Sequence, residues 1–138
     1  MTVESKIVST QASPEKLYNF LGDFTNFTRL VPPGQVQDLK ATSDTCSFNV
    51  GGYMQITLGF VERQPYSLVA IGPAANGNSP MPFRMNINIY DNGDGTSRVG
   101  IVFDLEGSNP MMNMMLKPKL RDAADKLADQ LSYFAMGL

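Results

Sequence analysis

The chain contains no histidine, no tryptophan, one cysteine and few charges. Each shortage removes a class of chemistry. Without histidine no side chain titrates near neutrality at its ordinary pKa. The usual general base, the commonest metal ligand and every histidine-dependent triad are therefore excluded. Cys46 alone cannot close an intrachain disulfide or build a thiolate zinc site, and as a nucleophile it would have no imidazole beside it. It alternates in phase with Phe48 and Val50 and reads as a small buried hydrophobe. A single free thiol suits a reducing compartment. Charged residues make up 17% of the chain, below the usual quarter. Eleven basic residues against thirteen acidic ones leave a net charge of −2, which does not draw in a phosphate backbone, so no nucleic acid partner is expected. Met1 to Thr10 has no apolar stretch of the secretory-leader kind. No apolar run approaches the roughly 20 residues that cross a bilayer, so the expectation is a cytoplasmic chain with no integral membrane segment.

Two motifs fail on inspection. Asp91-Asn92-Gly93-Asp94-Gly95 has the look of a calcium loop, but its third position is Gly93 and its twelfth is Val102, neither of which is a ligand. Flanking strands make it a hairpin turn instead. No glycine pattern matches a phosphate-cradling loop. Neither a metal nor a cofactor is expected.

What is present is patterning. The 138 residues suit one domain spanning 1–138, with no repeat, linker or low-complexity tract. Residues 3–10 alternate loosely and predict a first strand. Ser13-Pro14 is a helix cap followed by proline at the first helical position, and Leu17, Tyr18 and Leu21 form that helix's stripe. Phe24, Phe27 and Leu30 mark a second short helix behind Asp23, whose expected role is a cap, and Pro32-Pro33-Gly34 ends it. From Gln35 to Glu106 the period is two, and about six strands are predicted. Cys46, Phe48 and Val50 precede a Gly51-Gly52 turn. Met54, Ile56, Leu58 and Phe60 follow, and Tyr66 to Ile71 is a shorter run. After a Gly, Asn and Pro loop come Phe83, Met85, Ile87 and Ile89, then Val99, Ile101, Phe103 and Leu105. Sequential hairpins imply an antiparallel meander with one buried face and one wet face. Asn109-Pro110 repeats the cap. Met112, Leu116, Leu120, Ala124, Leu127 and Leu131 then step by three or four along a long helix. Pro118 falls inside it and is expected to bend or interrupt it.

The order strand, two short helices, about six strands and long helix resembles the START-like superfamily, also called SRPBCC, which includes polyketide cyclases and the birch-pollen-allergen fold. Residues 3–31 (VESKIVSTQASPEKLYNFLGDFTNFTRLV) are similar to its opening. Ser79-Pro80-Met81-Pro82-Phe83 and NPMMNMMLKPKLRDAADKLADQL are similar to its small stand-alone bacterial members. The resemblance implies an α+β helix-grip fold, a curved antiparallel sheet wrapped around the C-terminal helix. It also implies a site between the two that holds a lipid, sterol or polyketide, or catalyses cyclisation. Other members act as protein partners.

The strand residues in phase with the concave face are all apolar, where a cyclase would carry polar groups to orient a substrate. A bulge could rotate one inward, and Tyr18, Tyr53, Tyr66 and Arg84 are the candidates. Asp104 and Glu106 are out of phase and expected in solvent. Glu62 and Arg63 stand at a strand end as a candidate ion pair. Met111, Met112, Met114 and Met115 crowd the start of the last helix, more than one packed stripe can use, and flexible thioethers suit adaptable apolar surfaces. Filling an irregular core or a dimer contact is the alternative role for them, so a homo-oligomer remains compatible with the sequence. Lys117, Lys119 and Arg121 are a basic cluster beside them, able to meet a carboxylate headgroup, though a solvated helix face is the simpler account.

The expected partner is an apolar small molecule, bound without turnover by Met54, Ile56, Leu58, Phe83, Met85, Ile87, Val99, Ile101, Phe103, Met111, Met112, Met115, Leu116 and Leu120. Two other readings stay open: a cyclase- or dehydratase-like enzyme, and a protein-interaction domain with a filled core. The packing expected in each case sets Phe48, Ile56, Leu58, Ile87, Ile101 and Phe103 against Leu120, Leu127 and Leu131.

Overall fold

A computed structural model describes residues 1–30, 37–50, 54–74, 83–105 and 109–138. The Pro32-Pro33-Gly34 and Gly51-Gly52 signals, Tyr53, Met81 and Glu106 lie outside the described residues, and Met54 is described by its backbone only.

Two short strands open the chain, β1 (Thr2–Glu4) and β2 (Val8–Thr10). The single strand expected over 3–10 is thus broken. Its middle is pulled toward the last helix, where the Lys6 backbone N–H donates to Asp125 Oδ1 at 2.7 Å and the Lys6 ammonium pairs with Asp129 at 3.0 Å. Helix α1 (Pro14–Leu21) starts as its sequence requires, with the Ser13 hydroxyl accepting the Lys16 N–H at 3.2 Å and proline at the first position. A 3-10 helix, Phe24–Arg29, follows. Asp23 caps it, accepting the Thr25 N–H at 2.9 Å and the Thr25 hydroxyl at 2.7 Å. Those bonds, the hydroxyl's first, hold the Asp23 carboxyl below the usual carboxylate range.

Six further strands complete the sheet: β3 (Gln37–Ala41), β4 (Thr45–Val50), β5 (Met54–Gln64), β6 (Leu68–Pro73), β7 (Phe83–Asp91) and β8 (Ser97–Leu105). The eight strands are antiparallel in the order β1-β8-β7-β6-β5-β4-β3, with β2 also paired to β8. The β7–β8 connection is the expected hairpin turn. Asp91 Oδ1 accepts the Gly93 N–H at 2.8 Å, and Gly93 adopts φ 83°, a left-handed value that favours glycine.

Helix α2 (Pro110–Ala135) is capped by Asn109, whose Oδ1 accepts the Met112 N–H at 2.8 Å. It packs on β1, β2 and β8, while α1 lies on β6 and β7 and the 3-10 helix on β3 and β4. The chain therefore has the helix-grip α+β architecture.

Pro118 does not interrupt α2, which runs unbroken through it. Proline removes one bond, to the Met114 carbonyl, but the turns on either side stay bonded and the Pro118 ring points to solvent, where no packed neighbour forces a break. Pro118→Ala restores the missing N–H. The helix-interior preference for alanine over proline is about 3 kcal/mol, offset by up to about 1 kcal/mol from a freer unfolded chain. The variant should thus gain about 2–3 kcal/mol in urea unfolding; an unchanged midpoint would show that α2 already absorbs the proline at no cost.

The buried stripe of α2 is Ala124, Ala128, Leu131 and Ala135. Leu120 and Leu127, expected in the core, are half-buried beside it. Small side chains let the helix lie close to β8 and the β1–β2 edge, which displaces the larger leucines to its flank.

Candidate functional site

The strand registers arrange the concave face in rows. Val69, Ile87 and Ile101 form one row, and Phe60, Ile71, Met85, Phe103 and Val3 form the next. Leu105 stands beside Phe83, Cys46 beside Leu58 and Phe48 beside Ile56. Burial falls along this series. Ile87 and Val99 are 0% exposed and Ile101 is 1% exposed. Phe48, Ile56, Leu58, Phe60, Phe83 and Phe103 are only half-buried. The cause is the placement of the helices. Helix α2 lies on β1, β2 and β8 and α1 on β6 and β7, and the sealed rows belong to these covered strands.

By the 3.6-residue period, Leu116, Leu120 and Leu127 make the stripe next to the buried one. The opposite flank of α2, with Asp125, Asp129 and Ser132, is tied to residues 6–9 at the β1–β2 edge. Half-buried apolar side chains remain on both elements: Phe48, Ile56, Leu58, Phe83 and Phe103 on the sheet, and Met112, Leu116 and Leu120 on the first half of α2. Met85, in the row of Phe103, is 7% exposed.

Several residues expected to line a site stand elsewhere. Ile87, Val99 and Ile101 have essentially no accessible surface, so no molecule can touch them unless the core opens. They are sealed because the helices cover their rows. Met111 and Met115 are 73% and 65% exposed on the outer side of α2, because their helical positions turn them away from the sheet.

One polar residue of α2 was not singled out from the sequence. Asn113 Oδ1 is buried and has no hydrogen-bond partner among the described residues. An unsatisfied buried acceptor is costly and invites a donor. The available signal was its position, four residues before Lys117 and three before Leu116.

The described candidates for an inward turn, Tyr18, Tyr66 and Arg84, make their contacts elsewhere. A bulge does occur, between Phe60 and Glu62. It carries Arg63 round to the concave side, where its guanidinium stands 4.5 Å from the Phe60 ring centre and donates to the Gly22 carbonyl at 3.4 Å. Arg63 remains exposed and does not pair with Glu62. Glu62 pairs instead with Arg84, at 2.9 Å, on the convex face. The ladder there continues through Asn86 and Asp104 to Thr2. Arg84 and Gln64 together hold the Glu62 carboxyl below its usual range, Arg84 contributing more. Tyr18 and Tyr66 meet edge to face at 5.6 Å, where α1 meets the β5–β6 turn. Cys46 is buried, and desolvation raises its thiol pKa, which keeps it protonated and unreactive. Among the described residues no three His, Cys, Asp or Glu side chains stand together as metal ligands.

No protein-family model and no curated protein matches the sequence. Solved structures do. A START superfamily protein from Mycobacterium smegmatis superposes with a TM-score of 0.73 at 15% identity, over 97% of this chain and 96% of its own. Norcoclaurine synthase from Thalictrum flavum, a point mutant in complex with a transition-state analogue, gives 0.72 at 11% identity, over 99% and 94%. The di-domain ARO/CYC BexL from the BE-7585A biosynthetic pathway gives 0.64 at 14% identity, over 96% of this chain and 45% of its own. At such identities the likeness is one of fold, the helix grip that this chain shares with these structures.

Proposed function

We propose that this START-like chain binds an apolar small molecule in the groove between the open end of the sheet and the first half of α2, without turning it over. The observation that carries this reading is the set of half-buried apolar side chains, Phe48, Ile56, Leu58, Phe83 and Phe103 on the sheet and Leu116 and Leu120 on α2, next to a sealed core. Apolar surface left half-wet at the mouth of a sealed core gains by being covered. At roughly 25 cal/mol per Å², a ligand burying about 200 Å² gains about 5 kcal/mol before association costs. That supports micromolar-to-millimolar binding when shape contributes. Asn113, on the same half of α2, carries a buried acceptor without a partner among the described residues, so a ligand with one hydroxyl or amide donor suits this half better than a pure hydrocarbon. An amide neither takes nor gives a proton near neutral pH, which favours binding over acid–base turnover. The norcoclaurine synthase neighbour carries a transition-state analogue, so this architecture is able to house a small organic molecule.

The test titrates a fatty acid, a sterol and an aromatic polyketide mimic against wild type, Leu58→Trp and Leu120→Trp. Indole side chains at those half-buried positions fill the groove from either wall. Affinity should drop at least about tenfold in both, or about 1.4 kcal/mol. Tyr133→Trp, at a site 68% exposed on the far half of α2, should bind as wild type. If the groove variants bind as tightly as wild type, the ligand sits elsewhere. If wild type takes up none of the three, the interaction-domain reading replaces this one.

A further inference from the structure

Helix α2 is apolar on a second face of its first half, and that face is turned to solvent. Met111, Met114, Met115 and Pro118 follow the i, i+3, i+4, i+7 spacing of one helical stripe. The three methionines are 73%, 80% and 65% exposed. The groove stripe, with Leu116 and Leu120, lies on a different side of the same turns. Core packing accounts for neither the number nor the exposure of these thioethers.

The flanks of the stripe are basic. By the helical period Lys117 and Arg121 border it on one side and Lys119 on the other. Residues 109–121 carry these three cations and no carboxylate. The stripe ends at Asp122, which pairs with Lys126 at 3.0 Å. Among the described residues no carboxylate forms an ion pair with Lys117, Lys119 or Arg121. Charge is therefore segregated along α2: the first half is purely cationic, and the second half holds Asp122, Asp125 and Asp129 against Lys126 alone. Between the methionines and the cations runs an open depression of about 450 Å³, lined by Asn113, Met114, Lys117, Pro118 and Arg121.

We infer that this face of α2 docks on an anionic lipid bilayer, with the methionines entering the acyl boundary and the three cations meeting headgroup phosphates. An exposed apolar stripe bordered by lysine and arginine on both sides is the pattern of a helix lying in the membrane interface. The net charge of the chain is −2, so the attraction belongs to this face and not to the molecule as a whole. A second copy of the chain is a poorer occupant. Pairing two first halves would set like charges together, and pairing first half with second would press the methionines onto Asp122, Asp125 and Asp129. The inference goes beyond the groove reading and holds whether or not the groove is filled.

The experiment is vesicle co-sedimentation with the whole chain, using phosphatidylcholine vesicles with and without phosphatidylglycerol. Wild type should pellet with the anionic vesicles, release at about 1 M salt, where charges are screened beyond about 3 Å, and stay in solution with phosphatidylcholine alone. Neutralising the cations (Lys117→Gln, Lys119→Gln, Arg121→Gln) should lower the partition coefficient on the order of 100-fold. Met111→Gln, Met114→Gln, Met115→Gln should lower it at least about tenfold. Glutamine is a good helix former and all six positions are exposed, so both triple variants should keep the wild-type melting temperature; should either lose it, Met114→Gln alone serves, with a smaller loss in the same direction. The inference is overturned if wild type ignores anionic vesicles, if it binds neutral ones equally well, or if the variants bind as wild type. It is also overturned if sedimentation velocity finds a wild-type dimer that the methionine variant dissolves, since the face would then be a contact between copies.

Discussion

Phe24→Ala should lower the free energy of unfolding by about 3–5 kcal/mol, the range for truncating a fully buried phenylalanine. Phe24 has no exposed surface. Its ring stacks on Phe60 at 4.3 Å between centres and leans on Phe27 at 5.1 Å. The residue joins the 3-10 helix to β5, next to the Phe60–Glu62 bulge. Removing it leaves a cavity, and it also strips the Phe60 ring of its packing partner while Arg63 remains on the ring's accessible side. The two neighbours cannot both collapse into the space, because Phe27 is fixed by the Asp23-capped turn. Urea unfolding followed by circular dichroism measures the loss. A drop below about 1 kcal/mol would mean that the 3-10 helix is a replaceable cover and not part of the core.

Leu131→Ala should cost about 2–5 kcal/mol, and Leu127→Ala should cost less, about 1–2 kcal/mol. The two leucines are four residues apart on one helix and look equivalent in the sequence. Leu131 is 1% exposed within the stripe that meets β2 and β8, whereas Leu127 is half-buried on the groove flank. A solvated leucine has already kept part of its hydration in the native state, so truncation forfeits less transfer free energy and leaves no closed cavity. Parallel unfolding curves of the two variants decide the point. Equal losses would place both leucines in the sealed core and would remove the helix wall of the proposed groove. A ligand that occupies the groove should stabilise wild type by mass action and stabilise Leu127→Ala less.

Much of the architecture was legible in the residues. Ser13-Pro14 and Asn109-Pro110 announced both α-helices, and both caps hold the bonds their side chains predict. Period-two alternation placed β4, β5, β7 and β8, a short apolar run placed β6, and Asp23 became the cap it was read to be. The misreadings came from places where two local rules compete. Residues 3–10 alternate as a strand, but Lys6 is drawn to Asp125 and Asp129, over 100 residues away in the chain. Pro118 argues for a bend or an interruption, and α2 carries it on a solvent face without an interruption. Glu62 has Arg63 beside it, but the bulge sends them to opposite faces and Arg84 takes the carboxylate.

By itself the sequence determined the excluded chemistry and which side chains share a face. Those follow from residue type and from the two periods, 2.0 and 3.6, which are local geometry. It could not determine which rows of the shared face are covered. Ile101 and Phe103 have the same phase, the same strand and the same apolar character, yet one is sealed and the other half-open. The difference arises from where α2 crosses the sheet. That crossing is set by the small buried Ala124, Ala128 and Ala135 and by the Lys6 and Ser9 contacts to α2. Only the tertiary structure decided it, because a helix position relative to a sheet is a balance of distant contacts that no short window of residues contains.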